Sequence, residues 1–506
     1  MDTRVRLTVE EDEPFAGGVA FGEAGPYRRI AGRAVLAVDP EAPPNRDIVD
    51  LERAPRTAAG LVECITPFFL LAPAEPGRGN GCLLFDVVNR GNKRVLQFLN
   101  SALHSNDPRD AAHAGNGFLL RRGYTVAWCG WQGDLLPGEG RMGLEVPVAT
   151  EGERPITGVV RVELVADRPG VLSLPLSGNT FTRSYPAAEP DPHRATLTRR
   201  QYPHDPREAL PPQAWAFARA EPDPATGRVR LVPSDSHCAV AEGFRAGWVY
   251  ELVYLARDPL VLGLGFAAVR DLVAFLRYGE ADADGSPNPL RQRGVRVERA
   301  YAWGRSQSGR FLRDFVYRGF NDDGHGRRVF DAVWPHVAGA GRIYLNHRFA
   351  QPDKVSLQHE DHLVPSDVFP FSYAVATDPL TGRRDGILKR PATDPLVLHT
   401  QTSTEYWQRR GSLVHTDPLG HDLPQPETVR VYLFASSQHF AAPGAPPERG
   451  VCRHLSNPLD TAPLLRALLD ALDRWVTAGT PPPPSRVPTR ADDTLVSVEE
   501  ARARFP

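Results

Sequence analysis

Apolar runs alternate with helical periodicity in three parts of the chain. The first part predicts a buried strand at Cys82 to Val88, then a glycine-containing turn and a helix, and then a second strand at Tyr124 to Cys129. Strands that are apolar along their whole length are typical of a mostly parallel sheet with helices on both faces. This part of the chain therefore indicates an α/β core.

The second part surrounds the sequence GRSQSGR, which occupies residues 304–310. Apolar side chains recur at helical spacing within residues 258–279, and the apolar run at 294–303 predicts a strand. Residues 311–316 then return to a helical period. GRSQSGR is therefore predicted to lie between a strand and a helix.

The third part predicts three more apolar strands, each of which ends in polar residues. They lie within residues 330–341, 395–407 and 428–440, and a helix is predicted to follow at 463–479.

Between these parts the chain is proline-rich or weakly periodic. Glycine and proline supply 44 and 49 of the 506 residues, which favours many loops and short strands around the core. The predicted fold class is α/β, a mostly parallel central sheet covered by helices, with a β-rich insertion and a lid insertion. The predicted segments are an N-terminal β segment packed on the core (1–60), the first half of the core (61–134), the β-rich insertion (135–256), the core with GRSQSGR (257–345), the lid or cap (346–394), the last part of the core (395–479) and a C-terminal tail (480–506).

The charge balance gives no reason to expect a polyanionic partner. Lysine and arginine total 59 against 61 aspartate and glutamate residues, so neither nucleic acid nor an anionic membrane is expected to bind. The first residues lack the apolar region of a signal peptide, and no run approaches the roughly 18 apolar residues of a membrane span. The five cysteines are scattered without C-x-x-C spacing. We therefore expect a cytoplasmic protein.

GRSQSGR differs by one residue from the G-x-S-x-G nucleophile elbow, where a serine on a sharp strand-to-helix turn is exposed for attack. If Ser306 is the nucleophile, Gly304 is the first glycine and Ser308 replaces the second with another small residue. If Ser308 were the nucleophile, the bulky Arg310 would take the position of the second glycine. The pattern favours Ser306, and a serine that only caps the helix is the alternative.

A nucleophilic serine needs a base and an acid, and with this elbow the chain order is serine, acid, histidine. One predicted strand ends at Glu405 and the last one is followed by His439, so Ser306, Glu405 and His439 meet this order. Other residues of the same types remain as alternatives. They are His399, His415, His421 and His454 for the base, and Asp378, Asp417 and Asp422 for the acid.

Further predictions concern the oxyanion and the substrate. The expected oxyanion donors are the main-chain N–H groups of Gln307 and Arg90, with Asn89 and Gly91 as alternatives to Arg90. The expected substrate-binding residues are Asn89, Trp131, Gln132 and Trp407. A core location for Trp131 and a glycine turn capped by Asn89 are equal alternatives. Aromatic residues near the lid suggest an ester with an apolar or aromatic group. These residues are Phe369, Phe371, Tyr373, Tyr406 and Trp407.

We predict no metal site and no cofactor. The sequence HEDH at residues 359–362 has two histidines three residues apart, but it is not H-E-x-x-H and lies in no helical pattern. The chemistry expected of a serine, a histidine and a carboxylate needs neither a metal ion nor an organic cofactor.

Several stretches, namely GPYRRIAGRA, VVNRG, GWQGD, GRSQSGR and EYW, resemble those of large bacterial α/β-hydrolase-domain proteins with an N-terminal extension. The resemblance spans most of the chain, from Gly25 to about His439, and implies an α/β-hydrolase fold with the triad Ser306, Glu405 and His439. The elbow is also similar to those of cutinase-type and glucuronoyl-type esterases. We therefore expect a serine hydrolase for a small-molecule carboxylic ester or lactone, with a homo-oligomer as one possible assembly. A transacylase and a ligand-binding protein without turnover remain alternatives.

Overall fold

Six neighbouring strands at the centre of the structure run parallel to each other, and three more extend them antiparallel at one edge. The structure is a computed structural model that describes residues 3–224, 227–354, 365–440, 446–450 and 453–504. Within these residues, nine strands form this sheet. They are β1 (Thr3–Pro14), β2 (Tyr27–Val38), β3 (Val62–Pro73), β4 (Cys82–Val87), β5 (Thr125–Cys129), β6 (Arg299–Arg305), β7 (Ala332–His336), β8 (Leu396–Thr402) and β9 (Val429–Phe434).

The order across the sheet is β1-β2-β3-β5-β4-β6-β7-β8-β9. β6 therefore lies between β4 and β7, with Gly304 opposite Val87 on one side and Pro335 on the other. Parallel strands end at the same edge of a sheet, and the crevice outside their carboxyl ends is where open α/β sheets bind ligands. The residues that follow β4, β6, β8 and β9 consequently meet at one edge.

Eight α-helices occur in the described ranges. They are α1 (Val95–Leu99), α2 (Ala111–Ala114), α3 (Phe118–Arg121), α4 (Leu264–Tyr278), α5 (Gln307–Arg318), α6 (Ser403–Gln408), α7 (Ala462–Ala478) and α8 (Val498–Arg504). α5 packs against β6 and β7, and α4 packs against the antiparallel edge. Among these helices, none combines the length and the apolar character that a membrane span requires.

An aromatic cluster fixes α5 on the protein core. The ring of Phe311 lies 4.7 Å from that of Trp131 and 4.8 Å from that of Phe266, centroid to centroid. Phe315, one turn further along α5, stacks on Phe311 at 5.9 Å. All four side chains are fully buried. Since the cluster holds α5 near its beginning, it also fixes the turn that leads from β6 into α5.

Residues between β5 and α4 form small antiparallel sheets with an apolar cluster of their own, which includes Leu164, Trp215, Tyr250 and Leu252. The strands outside the main sheet in the described residues have two to nine residues each. They are Thr150–Glu151, Arg154–Pro155, Thr157–Val165, Ser173–Pro175, Thr196–Arg200, Glu208–Ala209, Trp215–Ala216, Ala218–Pro222, Val229–Pro233, His237–Val240, Val249–Arg257, Ala376–Thr377 and Arg384–Asp385.

The N-terminal segment differs from the prediction, since β1 and β2 belong to the main sheet and are not packed on it. β2 pairs with β3 along its whole length, from Tyr27 opposite Pro73 to Val38 opposite Val62. The segment 3–14 alternates apolar and charged residues, as antiparallel strands with one face in solvent do. It has no continuous apolar run, which is why no core strand was predicted there.

Two other predicted segments also gain detail. In the tail, Arg486 exchanges main-chain hydrogen bonds of 2.9 and 2.8 Å with Val431 and Leu433, so the chain returns to the edge of β9. In the lid, residues 365–394 pack against α5, where Tyr317 donates a hydrogen bond to Asp385 at 2.9 Å. Residues 355–364 of the predicted lid, including HEDH, and Cys452 lie outside the described residues.

Replacing Phe311 with alanine is expected to lower the free energy of unfolding by about 3–5 kcal/mol, because it removes a fully buried ring from the cluster. A shift of the urea midpoint, followed by intrinsic fluorescence, measures this loss. Leu464→Ala on α7 is the control, because Leu464 is 49% exposed and its removal should change the free energy by no more than about 0.5 kcal/mol. Equal midpoints for the two variants would contradict the assignment of Phe311 to the core.

Candidate active site

Ser306 lies on the turn between β6 and α5 with φ 56° and ψ −111°, and its side chain is partly exposed. Its N–H donates to the carbonyl oxygen of His336 at the end of β7, at 2.8 Å. Its own carbonyl oxygen accepts the N–H of Arg310 at 3.0 Å, which begins the hydrogen bonding of α5. A residue with a side chain at such a φ is held there by its surroundings.

Gly304 and Gly309 allow this turn, because the backbones of β6 and α5 approach each other too closely there for a side chain. A Cβ at Gly304 would lie 2.4 Å from the carbonyl oxygen of Ser308, and one at Gly309 would lie 2.9 Å from that of Gly304. In G-x-S-x-G the second glycine would fall at position 308 of this chain. Here the close contact between strand and helix falls on Gly309, one position later.

Ser308 is fully buried and its hydroxyl has local partners. Its Oγ accepts the N–H of Arg305 at 3.1 Å and donates to the carbonyl oxygen of the same residue at 3.0 Å. Ser308, the residue that departs from G-x-S-x-G, therefore closes the turn with its hydroxyl. Ser308 is buried, whereas Ser306 is partly exposed.

Ser306, His439 and Glu405 form a hydrogen-bonded chain. The Nε2 atom of His439 lies 3.0 Å from Ser306 Oγ, and its Nδ1 atom lies 2.5 Å from Glu405 Oε1. The side chain of His439 is 30% exposed, whereas that of Glu405 is fully buried. The alternative acids and bases have other partners: His399 bonds to Tyr373, His415 to Tyr406, His421 to Asp417, Asp422 to main-chain N–H groups of Arg490 and Ala491, and Asp378 to Thr381.

Glu405 is three residues beyond the end of its strand, which corrects the prediction that the strand ends at Glu405. β8 ends at Thr402, and Glu405 lies in the first turn of α6. Its Oε2 accepts the N–H and the hydroxyl of Thr402 at 2.7 and 2.5 Å. The Thr402 side chain in turn accepts the N–H of Glu405, which completes a capping box. Thr404 accepts the N–H of His439 at 3.0 Å. The sequence analysis missed both threonines, although the T-x-x-E spacing is a recognisable capping signal.

The surroundings of His439 favour its neutral form. Burial is the largest cause that lowers the pKa of His439 below its ordinary value of 6.5, and the charges of Arg305 and Arg409 lower it further. The hydrogen bond and the charge of Glu405 act in the opposite direction. At neutral pH the imidazole can consequently accept a proton.

Arg305 is a second residue that the sequence analysis missed. Its guanidinium lies 4.9 Å from the ring centroids of both Phe98 and Phe440 and donates to the carbonyl oxygen of His439. Burial lowers the pKa of Arg305 to about 10, so it stays cationic at neutral pH. Arg305 therefore holds the loop that carries His439 against the elbow.

Arg90 and Gln307, whose main-chain N–H groups are the predicted oxyanion donors, contact each other. The N–H of Arg90 already has a hydrogen-bond acceptor. The N–H of Arg90, a residue with φ 48°, donates to Oε1 of the Gln307 side chain at 3.1 Å. The Nε2 atom of Gln307 donates to Gln132 at 3.0 Å and to the carbonyl oxygen of Pro352 at 3.1 Å. The Gln307 side chain must therefore move before Arg90 can donate to a substrate oxygen.

Gln132 accepts a hydrogen bond from the Gln307 side chain and has no exposed surface for a substrate. It is fully buried and donates to Asp134 Oδ1 at 2.7 Å. Burial raises the pKa of Asp134 to about 7. Gln132 is thus a positioning residue for Gln307, which corrects its prediction as a substrate-binding residue.

Other predicted substrate contacts also have structural roles. Trp131 is fully buried against Phe311 and donates to the carbonyl oxygen of Val88 at 2.7 Å, so of its two predicted locations it takes the one in the core. Asn89 is buried and donates to the carbonyl oxygen of Arg305 at 2.6 Å. Trp407 on α6 is 42% exposed and keeps a surface that a substrate can reach.

The aromatic residues of the lid pack on the protein itself. Tyr373 is buried and its hydroxyl lies 2.8 Å from His399 Nδ1, while Phe371 packs on Phe369 and partly against the core. Tyr406 bonds to His415 at 2.8 Å. These contacts are structural, and the apolar or aromatic substrate stays a prediction.

Elsewhere in the described residues, a cavity of about 770 Å³ lies between β1, α4 and the loop around Asp282, but the residues that line it do not include Ser306, Glu405 or His439. Groups of three or more metal-ligating side chains do not occur in the same ranges. The chemistry that the geometry allows is therefore centred on Ser306.

Comparison with known proteins supports the fold. The sequence model of a family described as "Alpha/beta hydrolase domain" matches residues 238–503, a range that includes Ser306, Glu405 and His439. No curated protein matches the chain. Since the family match covers more than half of the 506 residues, the chain belongs to the alpha/beta hydrolase domain family.

Proposed function

We propose that this protein is a serine hydrolase that cleaves a carboxylic ester or a lactone through an acyl-enzyme on Ser306. The observation that carries the proposal is the chain of two hydrogen bonds, 3.0 Å from Ser306 Oγ to His439 and 2.5 Å from His439 to Glu405. A serine, a neutral histidine and a buried carboxylate in this arrangement are the parts that nucleophilic catalysis needs.

In the first half of the reaction, Ser306 Oγ attacks the carbonyl carbon of the ester while His439 Nε2 accepts the hydroxyl proton. Glu405 holds the ring by its Nδ1–H and stabilises the positive charge that forms on it. Collapse of the tetrahedral intermediate breaks the bond to the alcohol oxygen, and His439 returns the proton to that oxygen. The acid portion remains bound to Ser306 as an ester.

In the second half, a water molecule replaces the alcohol. His439 accepts a proton from this water as its oxygen attacks the acyl carbon, and then returns the proton to Ser306 Oγ as the carboxylic acid leaves. With a lactone, the alcohol and the acid are parts of the same product.

The negative oxygen of each intermediate needs donors that point at it. The N–H of Gln307 at the start of α5 is the first donor that we propose, and the N–H of Arg90 is the second. The second becomes free once the Gln307 side chain leaves it, so substrate binding and the rotation of Gln307 are coupled in this proposal.

A fluorophosphonate probe tests the nucleophile, because it phosphonylates an activated serine with loss of fluoride. We expect the probe to label the peptide that contains Ser306, and Ser306→Ala to abolish the label. His439→Ala should slow labelling by at least about 100-fold, because it removes the base. Peptide mapping by mass spectrometry gives the site.

Ser308→Ala is the matched control for this experiment. It should keep the label but lower the free energy of unfolding by about 1–3 kcal/mol, because main-chain groups of Arg305 lose a buried partner. Label on Ser308, or unlabelled protein in every form, would refute the proposed mechanism.

The pH dependence of kcat/KM for a neutral ester tests the role of His439. A lowered pKa leaves the base unprotonated at neutral pH, so the rate should fall only when the pH drops through a midpoint below 6.5. Arg409→Met removes a positive charge that opposes the imidazolium, which raises the pKa of His439 and moves the midpoint to higher pH.

Arg409→Lys keeps the charge at this position and should keep the midpoint close to that of the wild type. A midpoint that stays unchanged, or falls, in Arg409→Met would contradict the electrostatic influence of Arg409 on His439.

A further inference from the structure

Arg310 lies on α5 four residues after Ser306, and 5% of its surface is exposed. The N–H of Arg310 donates to the carbonyl oxygen of Ser306 at 3.0 Å, and the rise over these four residues is about 6 Å. The two residues are therefore close enough for a small substrate to span them.

The guanidinium of Arg310 differs from the others on α5 in its partners. Arg313 donates to the carbonyl oxygens of Gly341 and Ala340, and Arg318 forms an ion pair with Asp314 at 2.9 Å. For Arg310 the structure records neither a hydrogen bond nor an ion pair of the guanidinium with any described residue. A buried cation without a partner is costly, which makes it a strong binding group for an anion.

Nitrogens of Arg305 and Arg313 are among the described polar atoms that are sealed from solvent without a partner, but none of Arg310 is. Because the guanidinium of Arg310 has no partner in the described residues, its nitrogens touch solvent-accessible space even though the residue is buried. The guanidinium is therefore accessible to a small ligand.

Two positive charges act on Arg310, and both belong to segments near Ser306. Arg90, on the loop after β4, and Arg409, just after α6, both oppose its positive charge. Together with burial, which is the largest cause, they lower the pKa of Arg310 to about 9, so it remains cationic at neutral pH. Arg310 thus lies within the electrostatic reach of the proposed oxyanion loop and of the residue that follows α6.

Two carboxylates also act on the charge of Arg310, and both already have cationic partners. Asp353 forms an ion pair with Arg90, and Asp367 forms one with Arg410 at 2.7 Å. Neither compensates Arg310 by direct contact. The guanidinium of Arg310 is therefore without a counter-ion among the described residues, which favours an anionic group on the ligand.

We propose that Arg310 binds a carboxylate of the substrate, so that the preferred ester or lactone carries an anionic group a few bonds from the scissile carbonyl. The proposal rests on the function proposed above, because it needs Ser306 as the nucleophile. A guanidinium matches the two oxygens of a carboxylate with two parallel hydrogen bonds. The carboxylate belongs either to the acid or to the alcohol portion, and the experiment distinguishes the two.

Two pairs of esters measure this preference through kcat/KM. Mono-(p-nitrophenyl) glutarate and its methyl ester differ by a charge in the acid portion, and 4-carboxyphenyl butyrate and its methyl ester differ by a charge in the alcohol portion. We expect the anionic member of one pair to be preferred by the wild type. In Arg310→Met the ratio of anionic to neutral ester should fall by at least about 10-fold, because a charged hydrogen bond is lost.

Arg318→Met is the matched control, since Arg318 lies on the same helix and pairs with Asp314. It should keep the wild-type ratio, and Arg310→Lys should retain part of the preference. A wild-type protein without preference in either pair, or an unchanged ratio in Arg310→Met, would overturn the proposal.

A second measurement uses the wild type alone and covers the case in which Arg310→Met fails to fold. Free glutarate and 4-hydroxybenzoate are tested for slowing the fluorophosphonate labelling of Ser306. Their methyl esters are the uncharged controls and should not slow it. Protection by either anion supports a carboxylate site. Normal labelling without protection rejects the site and leaves the proposed function intact, whereas absence of labelling rejects both.

Discussion

The backbone at Ser306 has a φ of 56°, a conformation that costs a residue with a side chain roughly 1–3 kcal/mol, and the surrounding structure holds it there. The strand β7 accepts the N–H of Ser306, the Ser308 hydroxyl closes the turn on Arg305, and the aromatic cluster around Phe311 anchors the helix. The exposure of the Ser306 hydroxyl, the direction of α5 and the location of Arg310 all follow from this turn.

Buried polar groups near the turn are mostly paired with each other, which keeps their geometry rigid. Glu405 uses both oxygens, one for His439 and one for the capping box with Thr402. Gln307 joins Arg90 to Gln132 through its side-chain amide. In a low dielectric these bonds are stronger than in water, and an unpaired group is more costly. The guanidinium of Arg310 differs from these groups, because it has no partner among the residues that the structure describes.

Residue order and local chemistry were sufficient to single out three residues that the structure brings within hydrogen-bonding distance. Ser306, Glu405 and His439 each follow an apolar run, and parallel strands end at one edge of the sheet. Trp131 and Gln132 were assigned to the substrate because they also follow such a run. They are instead buried, since a position after a strand does not tell whether a side chain points to the crevice or into the core.

The sequence alone determined the parallel core and the order of Ser306, Glu405 and His439 along the chain, because periodicity and spacing are local properties. It also contained the small residues that a sharp turn requires. The tertiary structure decided which hydroxyl is exposed, which N–H the Gln307 side chain occupies, and that β1 and β2 extend the main sheet. Only contacts between residues far apart in the chain settle such features, because a side chain's pairing depends on what the fold brings beside it.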